Sequence, residues 1–283
     1  MDFVALQNDV RSRLIEASAR YFTDAEIKRW LNLGYKAFLA RTGWAERITG
    51  LAAVADQYEY DLASQTVKIR QILWEDQYRI VPKQQHIFFN LVGVSNTSES
   101  TRPEIYTAFP WYNRIRLYPI PSTASDSTTL NGAHNSTITT LTVAATSAFP
   151  TTGMLLVNSE QILYTGKTAT TFTGCVRGYS GSTAASHSNT DSVKLASILV
   201  YNTYIPADMS ADTDEPRVNE EFREALILYA VQIGLQKRQK FTESRQMLEM
   251  YLDMANRAEM ERLRESLEGH HAVADADEIE DWY

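Results

Sequence analysis

The chain has 283 residues, 44% hydrophobic and 22% charged, a balance that fits one large globular domain or two ordinary ones. Its formal charge of -8 and pI near 5.2 exclude a protein that grips nucleic acid by coating phosphates, although not one that lets DNA slide past. The single cysteine, Cys175, supports neither an internal disulfide nor a metal site. Asp2 without a basic segment behind it predicts no signal peptide, and no window approaches the roughly eighteen apolar residues of a membrane span.

Two helices open the chain. Phe3, Leu6, Val10, Leu14 and Ala17 recur at three- and four-residue steps and share one face. Thr23-Asp24-Ala25-Glu26 is a capping box, in which the hydroxyl and the carboxylate each satisfy an orphan N–H. Ile27, Trp30, Leu31, Gly34, Ala37 and Phe38 follow as an apolar stripe, and Gly43 is a fitting stop. From about Ala52 the period changes. Residues 57–62, Thr66 to Leu73, Ile87 to Val94 and Arg114 to Tyr118 are short, rich in β-branched and aromatic residues, and predict strands, with Pro119 and Pro121 closing the region.

Residues 122–196 change composition, being crowded with Thr, Ser and Gly and poor in charge. Thr140 to Val143, Met154 to Val157, Gln161 to Thr165 and Phe172 to Val176 predict strands, with a hairpin turn at Gly166-Lys167. Such a break predicts a separate all-β module. Ser197 to Tyr204 resumes the earlier strand character. Pro216 sits near a helix start, and Phe222, Leu226, Tyr229 and Ile233 follow at helical spacing. Thr242 caps a longer helix to about Leu267, carrying Met247, Met250, Tyr251, Met254, Met260 and Leu263, with Gly269 as its stop. Residues 270–283 form an acidic tail without Lys or Arg that ends in Ile279, Trp282 and Tyr283.

Catalytic constellations are not found. There is no phosphate-binding glycine loop, His-Glu-x-x-His, Cys-x-x-Cys or helical His-x-x-x-His. Gly178-Tyr179-Ser180-Gly181 approaches a nucleophile elbow, but its second glycine comes one residue early, and a polar turn is the better reading. His187 reads as a loop residue and His270-His271 as an adventitious metal binder at most. Asp212, Asp214 and Glu215 read as favourable partners of a helix N-terminus. The methionines of the last helix read as core or subunit interface rather than as an adaptable groove.

The order of elements resembles the head-to-tail connector, or adaptor, proteins of tailed phages. Residues 22–32 are similar to that family's early helix, and residues 115–121 to its strand ending in a Tyr-Pro-x-Pro turn. Residues 200–206 resemble the strand that pairs with it, and residues 210–216 with Glu220-Glu221-Phe222 resemble the acidic link into its next helix. Residues 158–178 are similar to a small β module recurring as an insert in phage structural proteins. The resemblance implies an α+β fold: a helical bundle with a small antiparallel β region, plus an inserted all-β domain and an extended C-terminal tail. In it, 1–121 and 197–269 form a discontinuous helical adaptor domain with β strands, 122–196 the insert and 270–283 the tail. It further implies a non-enzymatic virion subunit without cofactors. Such a subunit assembles from the host cytoplasm into a ring of about twelve copies. The ring sits beneath the portal protein ring and above tail proteins, with genomic DNA passing through unbound and no membrane involved. Portal docking falls to Ile279, Trp282 and Tyr283. The alternatives are a collar or fibre-attachment protein, a virion-associated cell-wall hydrolase, and a nucleic-acid-binding module, which the charge disfavours.

Overall fold

The computed structural model describes residues 1–277 except 17–20, 64, 94–97 and 110–112, with side chains described as far as residue 264. The described residues form five α-helices: α1 (Phe3–Arg13), α2 (Asp24–Thr42), α3 (Gln85–Val92), α4 (Arg223–Lys237) and α5 (Phe241–Asp277). Two compact units divide the chain, one of residues 1–45 and 204–283, the other of residues 46–203.

The first unit packs α1, α2, α4 and α5 around one apolar cluster that includes Phe3, Leu6, Val10, Ile27, Phe38 and Phe222. Asp2 accepts the Ala5 N–H (3.0 Å) and starts α1. The capping box of α2 forms as expected, with Glu26 N donating to Thr23 Oγ1 (3.2 Å) and Thr23 N to Glu26 Oε2 (3.0 Å). Gly43, left-handed at φ 63°, ends α2 and donates to the Leu39 carbonyl (2.8 Å). Small residues let the helices close up. A Cβ on Gly34 would lie 3.0 Å from Tyr229 Cβ of α4, and one on Gly234 would lie 2.7 Å from a Leu14 methyl. Glu16, buried after α1, accepts the N–H groups of Tyr21 (2.6 Å) and Phe22 (2.9 Å) and an Arg238 guanidinium N–H (3.0 Å), which ties the approach to α2 down onto α4's end.

The C-terminal helix departs from expectation. It begins at Phe241, so Thr242 lies in its first turn, and it continues through Gly269 to Asp277. Residues 270–277, expected in the extended tail, are therefore helical. A lone interior glycine costs only about 1 kcal/mol against alanine, and alternating alanines follow it with no proline to enforce a stop.

The second unit contains a seven-stranded sheet. Its strands are β1 (Glu46–Leu51), β2 (Glu59–Asp61), β3 (Thr66–Trp74), β4 (Tyr78–Pro82), β6 (Ile105–Phe109), β7 (Arg114–Tyr118) and β16 (Ile198–Tyr204), in the order β1-β16-β3-β4-β6-β7-β2. Between them in sequence, β5 (Glu99–Ser100) pairs with β8 (Ile120–Pro121). The sheet is larger than the expected small region and is mixed rather than antiparallel, because β4 and β6 run parallel. Of the segment Ile87 to Val94, expected as a strand, residues Ile87 to Val92 belong to helix α3, ended by Gly93 at φ 75°, and Val94 lies outside the described residues. A short apolar run does not by periodicity separate strand from helix. Here Phe88 is buried while Ile87 and Leu91 are exposed.

Residues 122–196 supply the remaining strands. β9 (Ser127–Thr129), β11 (Gly153–Val157), β12 (Glu160–Tyr164) and β15 (Ser192–Leu195) form one sheet, ordered β12-β11-β15-β9. β10 (Leu141–Thr142), β13 (Gly166–Lys167) and β14 (Thr171–Thr173) form another, ordered β10-β14-β13. Gly166-Lys167 is thus a strand, paired with Thr173 and Phe172, not the expected turn. The reversal lies just beyond, where Thr168 Oγ1 accepts the Thr171 N–H (3.1 Å). A threonine hydroxyl supplies turn chemistry that glycine is usually asked for.

Candidate functional site

Among the described residues the chemically suggestive groups from the sequence have structural partners, while the side chains of His270 and His271 lie outside them. Glu160 opens β12 at 1% exposure and accepts five hydrogen bonds. Two come from Arg177 as a fork at 2.8 Å each, two from the backbone N–H groups of Gly178 (2.9 Å) and Ala185 (3.0 Å), and one from His187 Nε2 (2.8 Å). Burial pushes the carboxyl pKa up, but Arg177, the two N–H groups and His187 outweigh it and hold the group at about 2. The carboxylate is spent on pinning residues 177–187. His187 faces Glu160, and Ser180 lies elsewhere in that turn.

Ser180 is residue three of the elbow-like motif and sits at φ 56°. Its Oγ accepts the Ile48 N–H at 2.7 Å. The polar-turn reading therefore describes its geometry. Two residues further along β1, the Gly50 N–H donates to Gln161 Oε1 (2.5 Å). β1 is an edge strand of the seven-stranded sheet, so side chains from the 122–196 segment occupy N–H groups that an edge leaves open. Below them Met154, Ala196 and Leu199 make a small apolar cluster, and a Cβ on Gly50 would lie 2.7 Å from both Ala196 Cβ and Met154 Sδ.

His134 is fixed as one tautomer: the Thr142 N–H donates to Nε2 (2.9 Å), which leaves Nδ1–H to donate to the Gly132 carbonyl (2.9 Å). The acidic link serves α1 through its backbone carbonyls and the helix that follows it through Glu215. The carbonyls of Asp214 and Asp212 accept the N–H groups of Phe3 (2.8 Å) and Val4 (3.0 Å), while the Asp212 carboxylate meets Lys28 (2.8 Å) and Glu215 meets Arg223 (3.0 Å). Lys28 holds the Asp212 carboxyl below its usual range. Among the described residues no cluster of three His, Cys, Asp or Glu could hold a metal, and no described helix is long and apolar enough to cross a membrane.

Two features of the described surface stand out. α5 turns Met247 and Met254 towards the helical core but exposes Met250, Met260 and Leu263, so its methionines divide between core and surface. The anchors Ile279, Trp282 and Tyr283 lie outside the described residues. The other feature is a cavity of about 520 Å³ in the seven-stranded sheet. Glu160, Gln161 and Lys68 are positioned groups that the sequence reading above does not single out. Only Glu160 carries a signal: a lone acid at the head of an alternating apolar strand.

A family model described as SU10 adaptor protein matches residues 1–166, more than half of the chain. The match stops inside the 122–196 segment and so does not reach residues 197–269. No curated protein matches the chain.

Proposed function

The chain belongs to the SU10 adaptor protein family, a phage structural family and not an enzyme family, and from that premise we propose that it is a subunit of the virion head-to-tail connector. About twelve copies form a ring that docks beneath the portal, meets tail proteins on its other side and lines the channel through which genomic DNA passes. The observation that carries this reading is the family match over residues 1–166. The charge supports it: a formal -8 per chain repels phosphates, which suits passage rather than capture. In this reading the chain is not a catalyst, and Glu160, Arg177 and His187 serve as internal scaffolding.

Residues 122–196 form an inserted module on the 1–121 and 197–269 adaptor domain, and the tail after Gly269 docks on the portal through Ile279, Trp282 and Tyr283. Electron microscopy and native mass of the purified protein, alone and mixed with portal, test the assignment. Rings bound to portal are the expected result. A monomer that ignores portal overturns it, and one that clears peptidoglycan would make the chain a hydrolase instead.

A further inference from the structure

Among the described residues, the seven-stranded sheet leaves a gap between β3 and β6 beyond the end of β4. The ladder between β3 and β4 covers Ile72 to Trp74, and β4 stops at Pro82. β3 extends back to Thr66 and β6 extends on to Phe109, so their outer halves face the gap without β4 between them. The cavity of about 520 Å³ lies there, lined among others by Ile69, Pro82, Tyr106, Ala108 and Phe109. The alternation of β6 aims backbone groups into it. The Lys83 N–H donates to the Tyr106 carbonyl (2.8 Å), and two residues on, the Ala108 carbonyl takes only the side chain of Gln85 (2.9 Å) as its described partner. Thr107, at 1% exposure, also lines the cavity, and its Oγ1 has no hydrogen-bond partner among the described residues. Strand edges that β4 no longer covers after Pro82, over an apolar floor, are what an added strand requires.

The rim of the gap is basic. Lys68 and Lys83 line it, and neither makes an ion pair with a described residue, whereas Arg114 is taken by Glu59 and Asp61. This chain itself carries a segment of the complementary chemistry: Glu278-Ile279-Glu280-Asp281-Trp282-Tyr283, with three carboxylates, three apolar side chains and no base. We propose that the gap between β3 and β6 is the seat for this C-terminal segment of a second copy, which adds there as a strand. The contact is heterologous, tail of one copy to sheet of the next, and contacts of that kind propagate into rings. The inference rests on the ring reading for its second copy. It gives the tail a seat on a neighbour as well as on the portal, so the two compete for one segment.

The test is a labelled synthetic peptide of residues 275–283 titrated into the full chain by fluorescence anisotropy, beside native mass of the full chain. Saturable binding is expected, weakened about tenfold or more by K68E with K83E. Binding should be restored to that variant by a peptide in which Glu278, Glu280 and Asp281 are replaced by lysine. Excess peptide should dissolve the full chain's oligomers. No binding, equal binding of a scrambled peptide, or no response to the double substitution overturns the proposal. Binding by a chain that stays monomeric at all concentrations overturns the second copy as occupant. Portal binding is measured on the unsubstituted chain. Its absence there with peptide binding intact counts against the portal reading and leaves this seat standing.

Discussion

The helical unit gathers its apolar side chains into one cluster, whereas the β unit divides its own among three. The difference lies in the elements. Long amphipathic helices present continuous stripes that meet along their length. Most of the short strands bury no more than three residues each, so a sheet and an inserted segment close separate interiors joined by a minor patch such as Met154, Ala196 and Leu199. One region should therefore lose structure as a block, and the other should lose it by parts.

The sharpest way to break the comparison is Phe38→Ala. Phe38 is fully buried against Phe222, and its removal should cost about 3–5 kcal/mol, lowering the helical circular-dichroism signal in a single transition. A helical unit that unfolds in two steps would refute the single-core view. Next comes Glu160→Gln, which strands the Arg177 guanidinium in a buried site at a cost of about 3 kcal/mol. Hydrogen exchange should rise at residues 177–187 while α1 and α2 keep their protection. The same site sets a pH dependence. The folded pKa is depressed from 4.5 to about 2, so the stabilisation is complete above pH 4.5 and is lost as pH falls towards 2. Acid titration should release the 177–187 loop in wild type, and the Gln variant should lack that step. Gly50→Ala probes the joint between parts, since its Cβ meets Ala196 and Met154 at 2.7 Å; about 1–3 kcal/mol is expected, with altered exchange on both sides of the joint. Thr23→Ala, which removes one half of the capping box, should cost about 1 kcal/mol and shift the helical transition alone.

How much of this was legible varies with the range of the interactions. α1 and α2 could be read because their signals are local: a hydroxyl three residues from a carboxylate, apolar residues at helical steps, a glycine at the end. In the 122–196 segment β10, β11, β12 and β14 were legible in the sequence, whereas β9, β13 and β15 were not. α3 was not, since a short run with six apolar or aromatic residues among eight suits either element until the neighbours decide. The Gly166-Lys167 turn was misread because the threonines beside it make the reversal. The partners of β1 were also hidden. Nothing in Gln161 or Ser180 announces an acceptor for a backbone more than a hundred residues away. The gap between β3 and β6 lies where no described strand runs, and sequence periodicity records only strands that exist.

The two hydrogen bonds on β1 give the protein a clock. The Ile48 and Gly50 amides are held by side chains 132 and 111 residues distant, so neither can exchange its proton with solvent through that edge while the 122–196 segment is seated. Their exchange rates count how often the segment lifts, and a mass-spectrometric record of one short peptide spanning Glu46–Leu51 would read that frequency directly. A partner that clamps the segment would slow the count at both amides together, and one that pries it away would quicken it, without any label near the contact itself.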